Sequence, residues 1–153
     1  MSEQLYDYRS RLLGRLESIA AEVAEAIAGI SESRWHEPVK PAGRSPHAII
    51  FNLHDLERRA YILRLRRILS EDSPVLEALA EKDHDSSVPM TQLLAEYKEM
   101  RSAELELLSD LPPAGWTRIG RHPAFGLRTV LWWAERILEH SKRHLQELRG
   151  NEQ

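Results

Sequence analysis

Apolar residues recur every three, four or seven positions along most of this 153-residue chain, and three clusters of Pro and Gly interrupt the pattern. A spacing of three or four residues puts apolar side chains on one face of a helix. Pro and Gly break helices, so the clusters at 38–46, 72–89 and 112–126 mark connections. No stretch alternates apolar and polar residues with a period of two, and no β-strand is predicted. The pattern therefore predicts four amphipathic helices.

Four such helices bury their apolar faces most economically against one another, as an all-α four-helix bundle. We expect a single domain over residues 1–153. Ser45 and Pro46 suit the start of the second helix, because Ser caps free N–H groups and Pro is tolerated in the first turn. About 17 residues join the second and third helices, which is long for a tight turn and indicates a crossover or a lid. The helices are predicted at 4–30, 45–69, 88–111 and 127–149.

Composition excludes several classes of protein. Lys and Arg number 21 against 24 Asp and Glu, and the net charge of −3 argues against a dedicated nucleic-acid-binding protein, which carries a basic excess. The chain has no Cys, which excludes a disulfide framework, a thiolate metal site and a cysteine nucleophile. No run of about 18 apolar residues is present to span a membrane. The N-terminus is charged and amphipathic, unlike a signal peptide, and we expect a cytoplasmic protein.

The chemically most useful excess is histidine, with seven copies. His140 and His144 lie four residues apart near the end of the fourth helix, so their rings share one face. Two imidazoles at this spacing can bind one divalent metal ion. The pair follows the apolar Ile137 by one turn, at the edge of the buried face. Alternatively, both residues lie at the surface and complement the helix dipole, and spacing alone leaves the two interpretations open.

A second polar group lies on the second helix, in the stretch Asn52-Leu-His-Asp-Leu-Glu57. Asn52 lies about 200° around the helix from His54, so these two side chains cannot face the same pocket. A buried Asn needs hydrogen-bond partners and is more often structural than catalytic. The apolar residues that share the face of Asn52, and that we expect to be buried with it, are Ile49, Leu56 and Leu63.

Charged and aromatic residues near these groups have more than one interpretation. Asp55 and Glu57 either form hydrogen bonds to a metal ligand without contacting the metal, or pair with nearby arginines on a solvated face. The basic residues between 58 and 67 lack an aromatic ladder, which favours a solvated face or an oligomer contact over nucleic-acid binding. Trp132 and Trp133 lie 100° apart on a helix, so only one of them faces inward. The other is expected at a dimer contact or a pocket mouth.

Several short pieces of the sequence stand in a characteristic order and spacing. They are Ser45-Pro46, Asn52-Leu-His-Asp-Leu-Glu57, Tyr61, Arg64, Ile68-Leu-Ser-Glu-Asp-Ser-Pro74, Trp116-Thr-Arg, His122-Pro-Ala-Phe-Gly126 and Glu139-His-Ser-Lys-Arg-His-Leu-Gln146. Over nearly the whole chain this arrangement resembles the DinB-like (DinB/YfiT) superfamily. That family consists of small four-helix bundles described as metal-dependent enzymes.

The resemblance implies a ligand set for one divalent ion. The family typically has three histidine ligands, one on the second helix and two at His-x-x-x-His on the fourth. The fourth-helix pair corresponds to His140 and His144. The second-helix position corresponds to Asn52, because the family pattern His-Leu-x-Asp-x-Glu begins there. An amide oxygen is a weaker ligand than imidazole for zinc or nickel, so the implied site for zinc, nickel or manganese is an altered one.

The resemblance also implies a class of reaction and of partner. Some family members are transferases or isomerases that use a low-molecular-weight thiol as cosubstrate, and here the thiol must come from outside because the chain has no Cys. We expect a homodimer. The alternative is a non-catalytic bundle that binds a small ligand or a protein partner without metal, with His140 and His144 hydrogen-bonded to Asn52. Fold membership alone does not decide whether the protein is an enzyme.

Overall fold

The computed structural model describes residues 2–150 and confirms the four-helix bundle. The connection between the second and third long helices, residues 71–89, is long as predicted. No helix within the described residues is long and apolar enough to cross a membrane. The helices are α1 (Ser2–Ala28), α2 (Pro46–Leu56), α3 (Ile62–Ser70), α4 (Met90–Ser109), α5 (Pro113–Trp116) and α6 (Val130–Leu148), with a 3₁₀ turn at Glu32–Arg34.

Two hydroxyl side chains set where the site-bearing helices begin. Ser45 caps α2 by accepting a hydrogen bond from the N–H of Ala48 at 3.1 Å, as its position before a Pro predicts. Thr129 caps α6 in the same way, accepting from the N–H of Trp132 at 3.1 Å. Helix α6 therefore begins at Val130, three residues later than predicted.

A β-hairpin precedes α6, and the prediction that the chain has no strand was wrong. Strands β1 (Ile119–His122) and β2 (Gly126–Thr129) pair antiparallel, and Gly126 takes a φ of +74°. Four residues are too few to reveal a two-residue period in the sequence. The hairpin also holds the long connection, since the N–H of Leu76 donates to the carbonyl of Arg121 at 2.7 Å.

The second long helix contains a single π-helical turn at Glu57–Tyr61, between α2 and α3. A π turn accommodates one extra residue and rotates all later side chains by about 100°. This explains one wrong prediction: Ile49 is fully buried, but Leu63 is 47% exposed although an uninterrupted helix would place them on one face. The side chains of Glu57 and Tyr61, the first and last residues of this turn, point into the bundle, where both are buried.

Each of α1 and the α2–α3 helix packs against both α4 and α6. The apolar core forms two clusters, one built around Ile19, Leu53 and Leu145 and the other around Leu16, Leu65 and Trp133. Charged side chains occupy the layer between these clusters. The polar side chains buried in this layer are Glu57, Arg101, Glu104 and Ser141.

Candidate metal centre

His140 and His144 point into the bundle from the last turns of α6. They are 8% and 5% exposed, and their ring centroids lie 4.2 Å apart. The shared face predicted from their spacing is therefore the face that helix packing buries. A surface position that merely complements the helix dipole does not describe these side chains.

The ring of His144 is oriented by its own helix and faces α2. Its Nδ1–H donates to the backbone carbonyl of His140 at 2.9 Å, which leaves Nε2 without a proton in the neutral ring. Nε2 lies 2.7 Å from Oδ1 of Asn52. Helix α2 thus brings Asn52 to the fourth-helix pair, as the sequence comparison with the family expects.

Both imidazoles are held in the neutral form. Burial lowers the pKa of His140 to about 2, and the nearby charges of His144 and Arg143 act in the same direction. Burial also lowers the pKa of His144, outweighing the backbone hydrogen bond that raises it. Nδ1 of His140 is buried and has no hydrogen-bond partner among the described residues. The pair therefore offers lone pairs at neutral pH.

A cavity of about 980 Å³ opens onto this pair. Tyr61 contributes a buried wall, with its ring edge-on to His140 at a centroid distance of 5.5 Å. Burial raises the pKa of Tyr61, so its hydroxyl keeps its proton. The charged residues on the wall are Arg44, Arg136 and Arg143 together with Glu81, Glu139 and Glu147.

Arg44 closes one side of the cavity, in the loop before α2. Its Nε and Nη2 donate to the two carboxylate oxygens of Glu147 at 2.7 and 2.6 Å. Nη2 also lies 3.4 Å from Nε2 of His144. Sequence reasoning did not identify Arg44 or Glu147 as site residues, because neither belongs to a recognisable motif and 103 positions separate them.

The remaining histidines serve the packing of loops and helices. His47 Nε2–H donates to the carbonyl of Val88 at 2.6 Å, and its Nδ1 lies 2.7 Å from Nε2 of His84. His54 lies 2.7 Å from a carboxylate oxygen of Glu96, away from the cavity wall. His122 lies on strand β1, within the segment 112–126 that was predicted to be a connection without strands.

Asp55 and Glu57 belong to two different environments. Asp55 is 4% exposed and accepts two hydrogen bonds from Arg59, at 2.5 and 2.7 Å. Burial raises the pKa of Asp55, but the Arg59 hydrogen bonds, the hydrogen bond from the Lys82 N–H and the charges of both residues together outweigh it, so the pKa is lowered. Glu57 is fully buried against Arg101 of α4. Asp55 therefore pairs with a nearby arginine, as one of the two interpretations expected, but neither carboxylate lies on a solvated face.

Arginines of the basic run tie down the long connection. Arg59, Arg64 and Arg67 each donate to a backbone carbonyl within residues 71–89, at 2.9, 3.2 and 2.9 Å. Their carbonyl partners belong to Ala80, Glu77 and Val75. These three arginines therefore bind within the chain, whereas Arg58 and Arg66 of the same run are exposed.

A family model described as the DinB superfamily matches residues 15–148. The chain belongs to the DinB superfamily. A relative from Oceanobacillus iheyensis, named "Putative metal-dependent hydrolase OB0782", is 22% identical over 140 residues. The aligned region covers 89% of this DinB-superfamily chain and 81% of the relative.

Two solved structures share the fold of this DinB-superfamily protein. YfiT from Bacillus subtilis, described as "a probable metal-dependent hydrolase with an unusual four-helix bundle topology", matches with a TM-score of 0.83 at 19% identity. The match covers 94% of this chain and 85% of that one. TT2238, described as "a four-helix bundle protein", matches with a TM-score of 0.61 at 20% identity over 93% of this chain and 98% of its own.

The donor set of this DinB-superfamily chain suits a divalent ion if the amide is included. Between residues 2 and 150, no three His, Cys, Asp or Glu side chains are placed to hold a metal ion together. The two neutral imidazoles and the amide oxygen of Asn52 do form a contiguous set of lone-pair donors. Such a set binds imidazole-preferring ions more weakly than three histidines would.

Proposed function

We propose that this protein is a metal-dependent enzyme of the hydrolase type, with one divalent ion held by His140, His144 and Asn52. One observation carries the proposal. Nε2 of His144 and Oδ1 of Asn52 are both hydrogen-bond acceptors, yet they lie 2.7 Å apart. A cation bound by both atoms removes this conflict.

The donor types indicate zinc, nickel or manganese. Imidazole suits zinc and nickel, whereas the amide oxygen is a harder ligand that manganese also accepts. A divalent ion in a site with open coordination positions supplies Lewis acidity and lowers the pKa of bound water. The names of the Oceanobacillus and Bacillus relatives support the hydrolase type over other metal-dependent reactions.

The chain's own residues bind and orient the reactants. The backbone carbonyl of His140 fixes the ring of His144 through its Nδ1–H, so Nε2 keeps one direction. The protonated hydroxyl of Tyr61 lies on the same wall and can donate a hydrogen bond to an oxygen of the substrate. The pair of Arg44 and Glu147 closes the rim and limits the size of what enters.

Metal content tests this proposal. The untagged protein is incubated with zinc, nickel or manganese, dialysed and analysed by inductively coupled plasma mass spectrometry. We expect about one ion per chain in the wild type and a loss in His140→Ala and His144→Ala. The matched control His36→Ala removes an exposed histidine outside the cavity and should keep the ion. A wild type without metal, or alanine variants that retain it, contradicts the proposal.

A non-catalytic ligand-binding bundle is the second candidate, and a specific observation favours it. Rotating the amide of Asn52 by 180° places its N–H₂ on Nε2 of His144 and completes a hydrogen bond without metal. The guanidinium of Arg44, 3.4 Å from the same Nε2, adds a positive charge that opposes a cation. Absence of metal in the wild type supports this candidate.

Other expectations remain predictions. Among them are a low-molecular-weight thiol as cosubstrate, a cytoplasmic location and the absence of a nucleic-acid partner. A homodimer is also predicted, and sedimentation velocity would test it. Three large exposed side chains near the start of α1 offer a contact surface; they are Leu5, Tyr6 and Tyr8, 43%, 69% and 39% exposed.

A further inference from the structure

Arg136 lies on the cavity wall one turn before His140 on α6. Its guanidinium packs against two aromatic rings, 4.7 Å from the centroid of Phe125 and 6.0 Å from that of Trp132. Its positive charge lies close enough to the hydroxyl of Tyr61 to lower the pKa of that group, against the larger effect of burial. These contacts fix a planar group with five donors in one orientation beside the cavity.

The charge of Arg136 has no carboxylate partner among the described residues. It forms none of the ion pairs of the structure, although the cavity wall carries Glu81 and Glu139. Arg44, by contrast, is held on both oxygens of Glu147. Arg136 is therefore the oriented guanidinium of this wall whose donors are not already directed at a carboxylate.

Among residues 2–150, Arg64 is a second guanidinium without a carboxylate partner. It stacks over the ring of Trp133 at 5.0 Å and donates to the backbone carbonyl of Glu77. Its charge and that of Arg136 both act on Tyr61 and on His122. Two half-buried positive charges of this kind make the wall around Tyr61 attractive to an anion.

We infer that Arg136 and the hydroxyl of Tyr61 bind an anionic oxygen group, a carboxylate or a phosphate, of the molecule that enters this cavity. A guanidinium matches either group with two parallel N–H···O bonds. The cavity volume of about 980 Å³ is sufficient for a small organic anion. The inference names the substrate class for the proposed function and in that sense rests on it, but anion binding itself needs no metal.

Anion titrations of protein treated with EDTA test the inference separately from the metal. Inorganic phosphate and succinate are the two probes, and the indole signal of Trp132 beside Arg136 is followed by fluorescence and by ¹H–¹⁵N spectra. We expect saturable binding of at least one probe in the wild type. Arg136→Gln should weaken it about tenfold or more, since a hydrogen bond to a charged group contributes that much.

Three variants separate a specific site from general positive charge. Arg143→Gln removes an exposed arginine of the same wall and should change the affinity by less than about twofold. Arg136→Lys keeps the positive charge but loses the pair of parallel N–H donors, so this variant should bind the anion with intermediate affinity. Tyr61→Phe removes only the hydroxyl and should also weaken binding, which covers the case in which Arg136→Gln folds poorly.

The outcomes are distinct from those of the metal experiment. Binding of the probe by a chain that takes up no metal supports this inference and contradicts the proposed hydrolase. A metal-binding chain whose EDTA-treated form binds neither probe, or whose Arg136→Gln and Arg143→Gln variants lose affinity equally, overturns the inference alone. Phosphate bound more tightly than succinate assigns the group as a phosphate, and the reverse order assigns it as a carboxylate.

Discussion

The interior of this bundle contains two buried groups of polar side chains, and the two groups differ in how their hydrogen-bond donors and acceptors are paired. The inner group consists of Arg101, Glu57 and Glu104, in the layer between the two apolar clusters. Arg101 donates to one oxygen of Glu57 at 2.7 Å and to one oxygen of Glu104 at 2.9 Å, and the other oxygen of each carboxyl group is buried without a donor among the described residues. In the cavity group, His140 has a buried nitrogen without a partner and the Nε2 of His144 faces an acceptor oxygen.

The comparison indicates which group is available to a ligand. A buried polar group is stable when its hydrogen bonds are complete within the chain, and one left incomplete is costly unless something else completes it. Arg101 also donates to the carbonyl of Leu16 and to Ser141, at 2.7 and 3.0 Å. The inner group thus serves the packing of all four helices, whereas the cavity group keeps lone pairs directed at an open space.

A retained proton makes the inner group electrically neutral. Burial raises the pKa of Glu104 well above its ordinary value, and the charge of Glu57 and a hydrogen bond with it act in the same direction. A proton kept on Glu104 supplies the donor that Oε2 of Glu57 and Oε2 of Glu104 otherwise lack, and the one negative charge that remains is balanced by Arg101. This arrangement explains how two glutamates can be fully buried with a single arginine.

Removing the shared cation should have the largest effect on stability. Arg101→Met leaves two buried carboxyl groups without their counter-charge, and we expect a loss of about 3–5 kcal/mol in the free energy of unfolding. Urea denaturation measures it. Arg66→Met, at an exposed position of the basic run, is the control and should change the value by less than about 0.5 kcal/mol. Equal losses of unfolding free energy in the two variants would contradict the role of Arg101 as the counter-charge of the buried carboxyl groups.

The two glutamates should respond differently to amide substitution. Glu104→Gln imitates the protonated carboxyl group and should cost less than about 1 kcal/mol at pH 7, whereas Glu57→Gln removes the charge that Arg101 needs and should cost about 2 kcal/mol or more. Because the folded-state pKa of Glu104 is raised, the wild type loses stability as the pH rises above 4.5. The free energy of unfolding of Glu104→Gln, compared with that of the wild type, should therefore increase from pH 5 to pH 8. A constant difference over this range would contradict the retained proton.

The smallest effect is expected at the histidines that hold the long connection. Burial lowers the pKa of His84, as do the charges of His47 and His36, so the unfolded chain takes up the proton first. The free energy of unfolding therefore contains the full contribution of neutral His84 above about pH 6.5, and this contribution falls as the pH drops below that value. His84→Gln should reduce this dependence by less than about 0.5 kcal/mol, because the ring is exposed and its interactions are screened. Unfolding midpoints at pH 7.5 and 5.5 measure it, and an unchanged slope in the variant would assign the dependence to other groups.

Local sequence signals predicted the helices and the histidine pair of the candidate metal centre. Ser45-Pro46 marks the start of α2, and the spacing of His140 and His144 places both rings on one buried face. These features depend on neighbours within one or two helical turns. The contact between Asn52 and His144 was expected only through the family resemblance and the alternative built on it, since 92 positions separate the two residues.

The rest depends on contacts that no local pattern contains. The π turn at Glu57–Tyr61 changes the phase of the later helix by one residue, and Glu57 pairs with Arg101, 44 positions away. The hairpin strands are too short for a period to be visible in the sequence. Tyr61 and Arg136 meet across two helices, and only the tertiary fold places them on the same wall.

Calorimetric titration of zinc into the metal-free protein tests most directly whether Asn52 occupies a ligand position. We expect one ion per chain, weaker binding in Asn52→Ala, and binding about tenfold or more tighter in Asn52→His, where imidazole replaces the amide. Gln146→Ala removes another amide of the cavity wall and should match the wild type. Zinc bound equally by the wild type, Asn52→Ala and Asn52→His, or not bound by any of them, would contradict the assignment.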